Sequence, residues 1–240
     1  MNIIITMAGS GERFKNAGYH QPKYAITAHG KTLFDWSLLS LSALTNSACH
    51  QVLFVVKRTD QTKAFIEAHA KAIGIKNFQV LELDTGTDGQ ATTAIKTKPL
   101  IDSTEPLLIF NIDTFIEPGL ITEASFTGDG TIPCFSAEGE HWSFVKLAQD
   151  GYAVEVAEKK RISDHCSVGL YFFRSFTLFE SAYTSARHLS GERYVAPLYN
   201  ELIKTGAKIN IITLPKDKVH VLGTPEELAV FTSAPAPVLP

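Results

Sequence analysis

Hydrophobic and polar positions fall into two textures along the chain. In the first half, continuous apolar runs of strand length (2–6, 52–56, 78–83 and 107–112) alternate with stretches whose apolar residues recur at helical spacing. Thr32 reads as a cap for a helix carrying Leu33, Phe34, Leu38 and Leu41, and residues 59–73 read as a second helix with Phe65, Ala68 and Ala72 on one face. Strand and helix in alternation predict βαβ units and a mostly parallel sheet. The run 107–112 has the character of a buried central strand, which puts Asp113 at its carboxyl end, where open α/β sheets bind ligands.

From residue 129 the runs shorten and crowd together. Strands are predicted at 131–135, 142–147, 153–158 and 168–173, joined by turns such as Gln149-Asp150-Gly151, so an antiparallel patch enters late. Helices follow at 175–185 and 194–204, the second closed by Gly206, with a strand at 208–214 between them and the end. Thr224-Pro225-Glu226-Glu227 is a strong helix start: a cap, a proline in the first turn and two carboxylates on the positive end of the dipole. The expected fold is α/β: a Rossmann-like, mostly parallel sheet flanked by helices, with a late antiparallel patch. One domain is expected over 1–232, with a proline-rich, poorly ordered tail at 233–240 and no internal repeats.

Composition narrows the function classes. The 240 residues are 45% hydrophobic and 20% charged with a net charge of -3, which leaves no basic footprint for nucleic acid or an anionic membrane. Substrate phosphates must therefore be met by local cations. No apolar stretch approaches the roughly 20 residues of a membrane span, and the N-terminus lacks the marks of a secretion signal. Three scattered cysteines, Cys49, Cys134 and Cys166, fit neither a disulfide framework nor a zinc site; they read as small buried residues in a reducing cytoplasm.

The chemistry concentrates at the start. The apolar run ending at Thr6 breaks into Met7-Ala8-Gly9-Ser10-Gly11-Glu12-Arg13-Phe14, followed by Pro22-Lys23. Gly9 and Gly11 allow the backbone to turn its N–H groups toward an anion, and Arg13 and Lys23 add fixed positive charge. The loop is neither of two familiar phosphate loops: it lacks the Gly-Lys-Ser/Thr ending of one and the third glycine of the other. Later segments are Gly86-Thr87-Asp88-Gly89-Gln90-Ala91, Phe110-Asn111-Ile112-Asp113, Ala157-Glu158-Lys159 and Ser167-Val168-Gly169-Leu170-Tyr171.

Taken in order over about residues 2 to 230, these segments resemble the sugar-phosphate nucleotidyltransferase family, and in particular its short members that activate building blocks for capsules and other surface polysaccharides. The resemblance implies transfer of a nucleotidyl group from an NTP to a sugar phosphate, or a similar phosphorylated polyol, with release of pyrophosphate. Ala8, Gly9, Ser10 and Gly11 would cradle the phosphates, and Gly89 and Gln90 would receive the base. Glu158, Lys159 and Gly169 would meet the acceptor, with His141 and Trp142 at its border. Arg13, whose planar guanidinium bridges two oxygens, is assigned to the β- and γ-phosphates, and Lys23 to the α-phosphate.

Asp113 is the expected ligand of a Mg²⁺ ion shared with the nucleotide phosphates. The family commonly places a second carboxylate two residues before a Gly-Thr pair; here Gly223-Thr224 is preceded by Val221 at that position. His220 alternates to the other side of a strand, so Asp217, in the preceding loop, is the second candidate. Shorter relatives point to a pyrimidine nucleotide (CTP, UTP or dTTP). Two other readings are a nucleotide-sugar-dependent glycosyltransferase, for which Asn111-Ile112-Asp113 lacks the first carboxylate of an Asp-x-Asp motif, and a non-catalytic nucleotide-sugar-binding protein. Oligomeric state is not legible.

Overall fold

The computed structural model describes residues 1–9, 11–188 and 191–239. The first apolar run forms β1 (Asn2–Thr6), and a short helix α1 (Glu12–Asn16) follows the glycine-bearing loop. A small hairpin of β2 (Thr27–Ala28) and β3 (Lys31–Thr32) leads into α2 (Leu33–Leu39) and α3 (Ser42–Thr45). Then come β4 (Gln51–Lys57), α4 (Lys63–Ala72), β5 (Phe78–Leu83), α5 (Gln90–Ile95) and β6 (Leu107–Asn111). The later strands are β7 (Thr114–Ile116), β8 (Gly130–Phe135), β9 (Ser143–Leu147), β10 (Ala153–Glu158), β11 (Cys166–Ser167) and β12 (Leu170–Phe173). The chain closes through α6 (Phe176–Ser185), α7 (Tyr199–Lys204), β13 (Ile209–Thr213), β14 (Val219–Val221) and α8 (Pro225–Ser233).

Ten strands form one mixed sheet in the order β10-β9-β11-β8-β12-β6-β1-β4-β5, with β13 beside β8. The strands β6-β1-β4-β5 run parallel, as the alternation with helices requires; from β12 outward the pairing is antiparallel except for β13 on β8. β1 lies between β4 and β6, so its apolar residues face both layers: Ile3 and Ile5 join one core cluster with Phe34 of α2 and Ile66 of α4, while Ile4 joins the other with Tyr171, Phe179 and Tyr199. The Thr32 cap is a reciprocal box, in which Thr32 Oγ1 accepts from Asp35 N at 3.2 Å and Thr32 N donates to Asp35 Oδ2 at 3.1 Å. A third cluster joins Phe14 of α1, Trp36 of α2, Phe115 of β7 and Phe231 of α8, and so packs the first helix against the last. No helix among the described residues is long and apolar enough to cross a membrane.

The structure corrects four local expectations. The inward face of α4 is Ile66 and Ala70, with Phe65 and Ile73 partly buried; Ala68 and Ala72 face solvent, because turning the 66-70-73 stripe inward buries the larger apolar side chains at the helical repeat. The strand expected at 168–173 is shortened to β12 (Leu170–Phe173), because Gly169 at φ +78° breaks the chain between it and the preceding β11. Residues 194–204 form an α-helix only from Tyr199, after a 3-10 turn at Ala196–Leu198, in which Pro197 sits in the first turn, where its missing N–H costs nothing. Cys134 and Cys166 are buried, on opposite faces of the sheet, but Cys49 is exposed.

Candidate active site

The carboxyl ends of β1 and β6 open onto a cleft of about 750 Å³. Its walls come from two parts of the sequence. Thr6, Ala8, Gly9, Arg13, Lys57 and the segment from Gly86 to Gln90 supply one side; His141, Trp142, Ser143, Glu158, Tyr171, Glu192 and Tyr194 supply the other, with Asn111, Asp113 and Gly169 between them on β6 and at the β11–β12 break. Ala8, Gly9 and Arg13 therefore share one space with Asp113, Gly89, Gln90, Glu158 and Gly169. Gly11, not part of that lining, caps α1 at φ +65°, a left-handed conformation that glycine adopts without strain. Ser10 lies outside the described residues.

Lys23 reaches the cleft through Asp113. Its ammonium donates to Asp113 Oδ2 at 2.8 Å, with both side chains roughly one-fifth exposed. A carboxylate at the end of an apolar strand needs a cation, and here an ammonium supplies it. Across Gly223, which has no side chain, stands a second carboxylate, that of Glu227. A Cβ on Gly223 would lie 3.3 Å from Asp113 Oδ2 and 3.4 Å from Glu227 Oε2. Glu227 is held by its own helix: Gly223 N donates to Oε2 at 3.0 Å and Glu227 N donates to Thr224 Oγ1 at 3.2 Å. Burial, and then the Asp113 charge, push the Glu227 carboxyl above its ordinary value.

Gly89 carries a different constraint from the open approach its sequence context suggests. A Cβ there would come within 2.5 Å of both Arg193 N and Arg193 O, because the backbone of Arg193 bridges the loop: Arg193 N donates to Asp88 O at 2.8 Å and Ala91 N to Arg193 O at 2.9 Å. Thr87 and Thr93 hydroxyls bond to each other at 2.5 Å behind the loop. Gln90 Nε2 donates to Thr6 Oγ1 at 3.1 Å, which fixes its carboxamide against the end of β1 and leaves its oxygen to accept.

On the opposite wall, Ser143 Oγ donates a short bond to Glu158, and the Tyr171 hydroxyl lies 3.3 Å from Ser143 Oγ. Burial raises the Glu158 carboxyl, with the Ser143 hydrogen bond and the Lys159 charge opposing. Lys159, at φ +54°, turns its ammonium to the Tyr194 hydroxyl, which donates in turn to Glu192; that hydrogen bond to Tyr194 raises the Lys159 ammonium. Gly169 is a place of close approach, since a Cβ there would fall 1.9 Å from Asn111 Oδ1. The Asn111 oxygen is buried with no hydrogen-bond partner among the described residues.

Asp217 does not line the cleft. It sits on the turn before β14, 78% exposed, 4.0 Å from Lys218, while Val221 and Glu227 line the cleft at this end. His220 packs away from the cleft side, stacked on Phe115 with Nε2 3.7 Å from Glu117, and burial lowers its pKa. Sequence reasoning missed Glu227, Ser143, Glu192 and Tyr194. Glu227 had a signal, the Thr-x-x-Glu spacing of a capping box, but that pattern announces a helix start and not a cleft residue.

Among solved structures, the chain is similar to a nucleoside-diphosphate-sugar pyrophosphorylase from Vibrio cholerae RC9, with 37% identity, a TM-score of 0.89, and 98% of this chain and 100% of that one covered. It shares its fold with the inositol-1-phosphate CTP transferase from T. maritima (15% identity, TM-score 0.75, 94% and 90% covered). The same holds for a Bacillus anthracis structure assigned as a glucose-1-phosphate thymidylyltransferase (13%, 0.75, 97% and 94%). A scan against protein-family models finds no match, and a search of curated proteins finds none. With a relative of this identity aligned along nearly its whole length, and the Ala8–Gly9 turn, Arg13, the strand-end aspartate and Glu158 lining one cleft, the chain belongs to the sugar-phosphate nucleotidyltransferase family.

Proposed function

We propose that the cleft joins an NTP to a phosphorylated sugar or polyol. An oxygen of the acceptor phosphate forms a bond to the α-phosphorus while the bond to the β-phosphate bridge breaks, and pyrophosphate leaves with the electron pair. No side-chain nucleophile is needed; positioning and electrostatics supply the acceleration. Arg13 neutralises the departing pyrophosphate, Lys23 the α-phosphate, and Lys159 the acceptor phosphate, with Glu158 taking a hydroxyl of the acceptor. The observation that carries this reading is the single cleft lined by both the Ala8–Gly9–Arg13 edge and Glu158.

A divalent cation fits this donor set. Asp113 and Glu227 present hard oxygens about one point beside Gly223, and Mg²⁺ favours one or two carboxylates completed by substrate phosphates and water. Among the described residues no group of three or more His, Cys, Asp or Glu is arranged to hold a metal ion, so the phosphates would complete the shell. When bound, the ion would withdraw charge from the triphosphate. Asp113 and Glu227, with Asp217 outside the cleft, are the pair assigned to hold it.

The resemblance to the family's shorter members supports a pyrimidine base (CTP, UTP or dTTP), and the Gln90 carboxamide oxygen, left free by the bond from Nε2 to Thr6, is the acceptor assigned to its edge. Pyrophosphate release, measured over a matrix of NTPs against sugar 1-phosphates, inositol 1-phosphate and glycerol phosphate, tests the assignment. Turnover by one pyrimidine nucleotide with one acceptor class is expected; no release from any pair defeats it.

A further inference from the structure

The short segment from Glu192 to Tyr194 touches both halves of the cleft by two different means. Its backbone serves the nucleotide side: Arg193 N and O bond to the base loop at 2.8 and 2.9 Å, and the loop can accept them because position 89 has no side chain. The Arg193 side chain turns outward and is anchored there, with Nη2 donating to Tyr183 O at 2.9 Å and the guanidinium 4.5 Å over the Tyr183 ring. Tyr183 is itself tied to α5 through Thr92, 2.9 Å between hydroxyls. The residues flanking Arg193, Glu192 and Tyr194, line the cleft.

Those two side chains form a relay that ends on Lys159. The Lys159 ammonium donates to the Tyr194 oxygen and lies 4.6 Å over the Tyr194 ring, and the Tyr194 hydroxyl donates to the Glu192 carboxylate. A neutral hydroxyl thus stands between ammonium and carboxylate. A direct contact pair would have to be broken before Lys159 met an anion; with one N–H spent on Tyr194, two remain for phosphate oxygens. The backbone of Lys159 is pinned as well, at φ +54° with its N–H on Trp142 O at 2.8 Å, so the ammonium is aimed from both ends.

We propose that Tyr194, oriented by Glu192, is the positioning residue that presents the Lys159 ammonium to the acceptor phosphate, carried on a backbone that also completes the nucleotide loop. This rests on the acceptor role given to Lys159 above. The test uses the full chain with the NTP and acceptor that give the highest wild-type rate among glucose 1-phosphate, N-acetylglucosamine 1-phosphate, inositol 1-phosphate and glycerol phosphate. Tyr194→Phe removes the hydroxyl and keeps the ring. It should raise KM for the acceptor about tenfold, leave KM for the NTP within about twofold, and leave the melting temperature in place.

The double variant Tyr194→Phe/Lys159→Ala should be no worse than Lys159→Ala alone, since the hydroxyl acts only through the ammonium. Should Tyr194→Phe lower stability, Glu192→Gln supplies the same readout from the outer end of the relay, with a smaller rise in acceptor KM expected. An unchanged acceptor KM in Tyr194→Phe and Glu192→Gln, where Lys159→Ala raises it, overturns the positioning role alone, as do independent, multiplying effects in the double variant. An unchanged acceptor KM in Lys159→Ala removes the assignment of Lys159 and this inference with it, and absence of turnover with every pair removes the proposed function as a whole.

Discussion

Lys23 Nζ and Asp113 Oδ2, brought together over 90 positions of sequence, stand 2.8 Å apart at the carboxyl end of the central strand. The ammonium balances the carboxylate's charge at the strand end and stands beside the oxygens assigned to the divalent ion. Both side chains keep about one-fifth of their surface in water, which lets solvent take over part of the Asp113 charge once the ammonium is removed, so the pair's larger effect is on charge placement in the cleft. Lys23→Ala should therefore cut pyrophosphate release by about a hundredfold or more while moving the melting temperature by only a few degrees. Full activity in that variant would remove Lys23 from the α-phosphate.

Two glycines of the cleft, both assigned above to the nucleotide, should respond differently to alanine. At Gly89 the added methyl meets Arg193 backbone atoms at 2.5 Å and the residue sits at φ +154°, so a rigid segment must shift. Gly89→Ala should cost about 1–3 kcal/mol of stability and raise KM for the NTP. Among the described residues no heavy atom beyond its chain neighbours lies within 4 Å of a Cβ on Gly9, so Gly9→Ala should leave unfolding by denaturant unchanged and affect only nucleotide binding. Equal destabilisation of both would show that the Arg193 bridge is not what Gly89 accommodates.

How much of this was legible in the chain follows from range. The strand-length runs, the Thr32 and Thr224 helix starts and the position of Asp113 are local properties, and they reappear at or near the expected residues. Phe78–Leu83 and Ala153–Glu158 coincide with their predicted strands. What pattern could not give is contact between distant segments. The backbone of Arg193 under Gly89, and Glu227 across Gly223 from Asp113, depend on how layers pack, and a capping glutamate looks the same in sequence whether its second oxygen faces bulk water or a cleft. Asp217 was the nearest carboxylate in sequence; Glu227 is the nearer one in space.

Glu158 should impose a pH dependence on stability. Burial raises its carboxyl above the ordinary value of 4.5, so the folded protein holds the proton more tightly than the unfolded chain does. The stabilising increment is complete below the unfolded value and is lost as pH rises through the raised, folded one. Glu158→Gln, which cannot ionise and still accepts from Ser143, should flatten that part of the stability profile and melt higher than wild type at neutral pH, while raising acceptor KM. Parallel profiles for the two proteins would mean that Glu158 is ionised at no cost.

Glu227 gives the sharpest test of the cation assignment, because its structural and chemical roles separate. Gln at this position keeps an oxygen to accept the Gly223 N–H and a backbone N–H for Thr224 Oγ1, so the start of α8 survives. The negative charge facing Asp113 does not. Mg²⁺ binding draws on carboxylate charge, so Glu227→Gln should raise the Mg²⁺ concentration needed for half-maximal rate about tenfold and weaken the thermal stabilisation that Mg²⁺ with NTP confers. Asp113→Asn should abolish both effects. Asp217→Asn, on an exposed turn outside the cleft, should change neither. A Mg²⁺ requirement that shifts in Asp217→Asn and not in Glu227→Gln would return the second ligand to the loop before β14 and leave Glu227 as a helix cap.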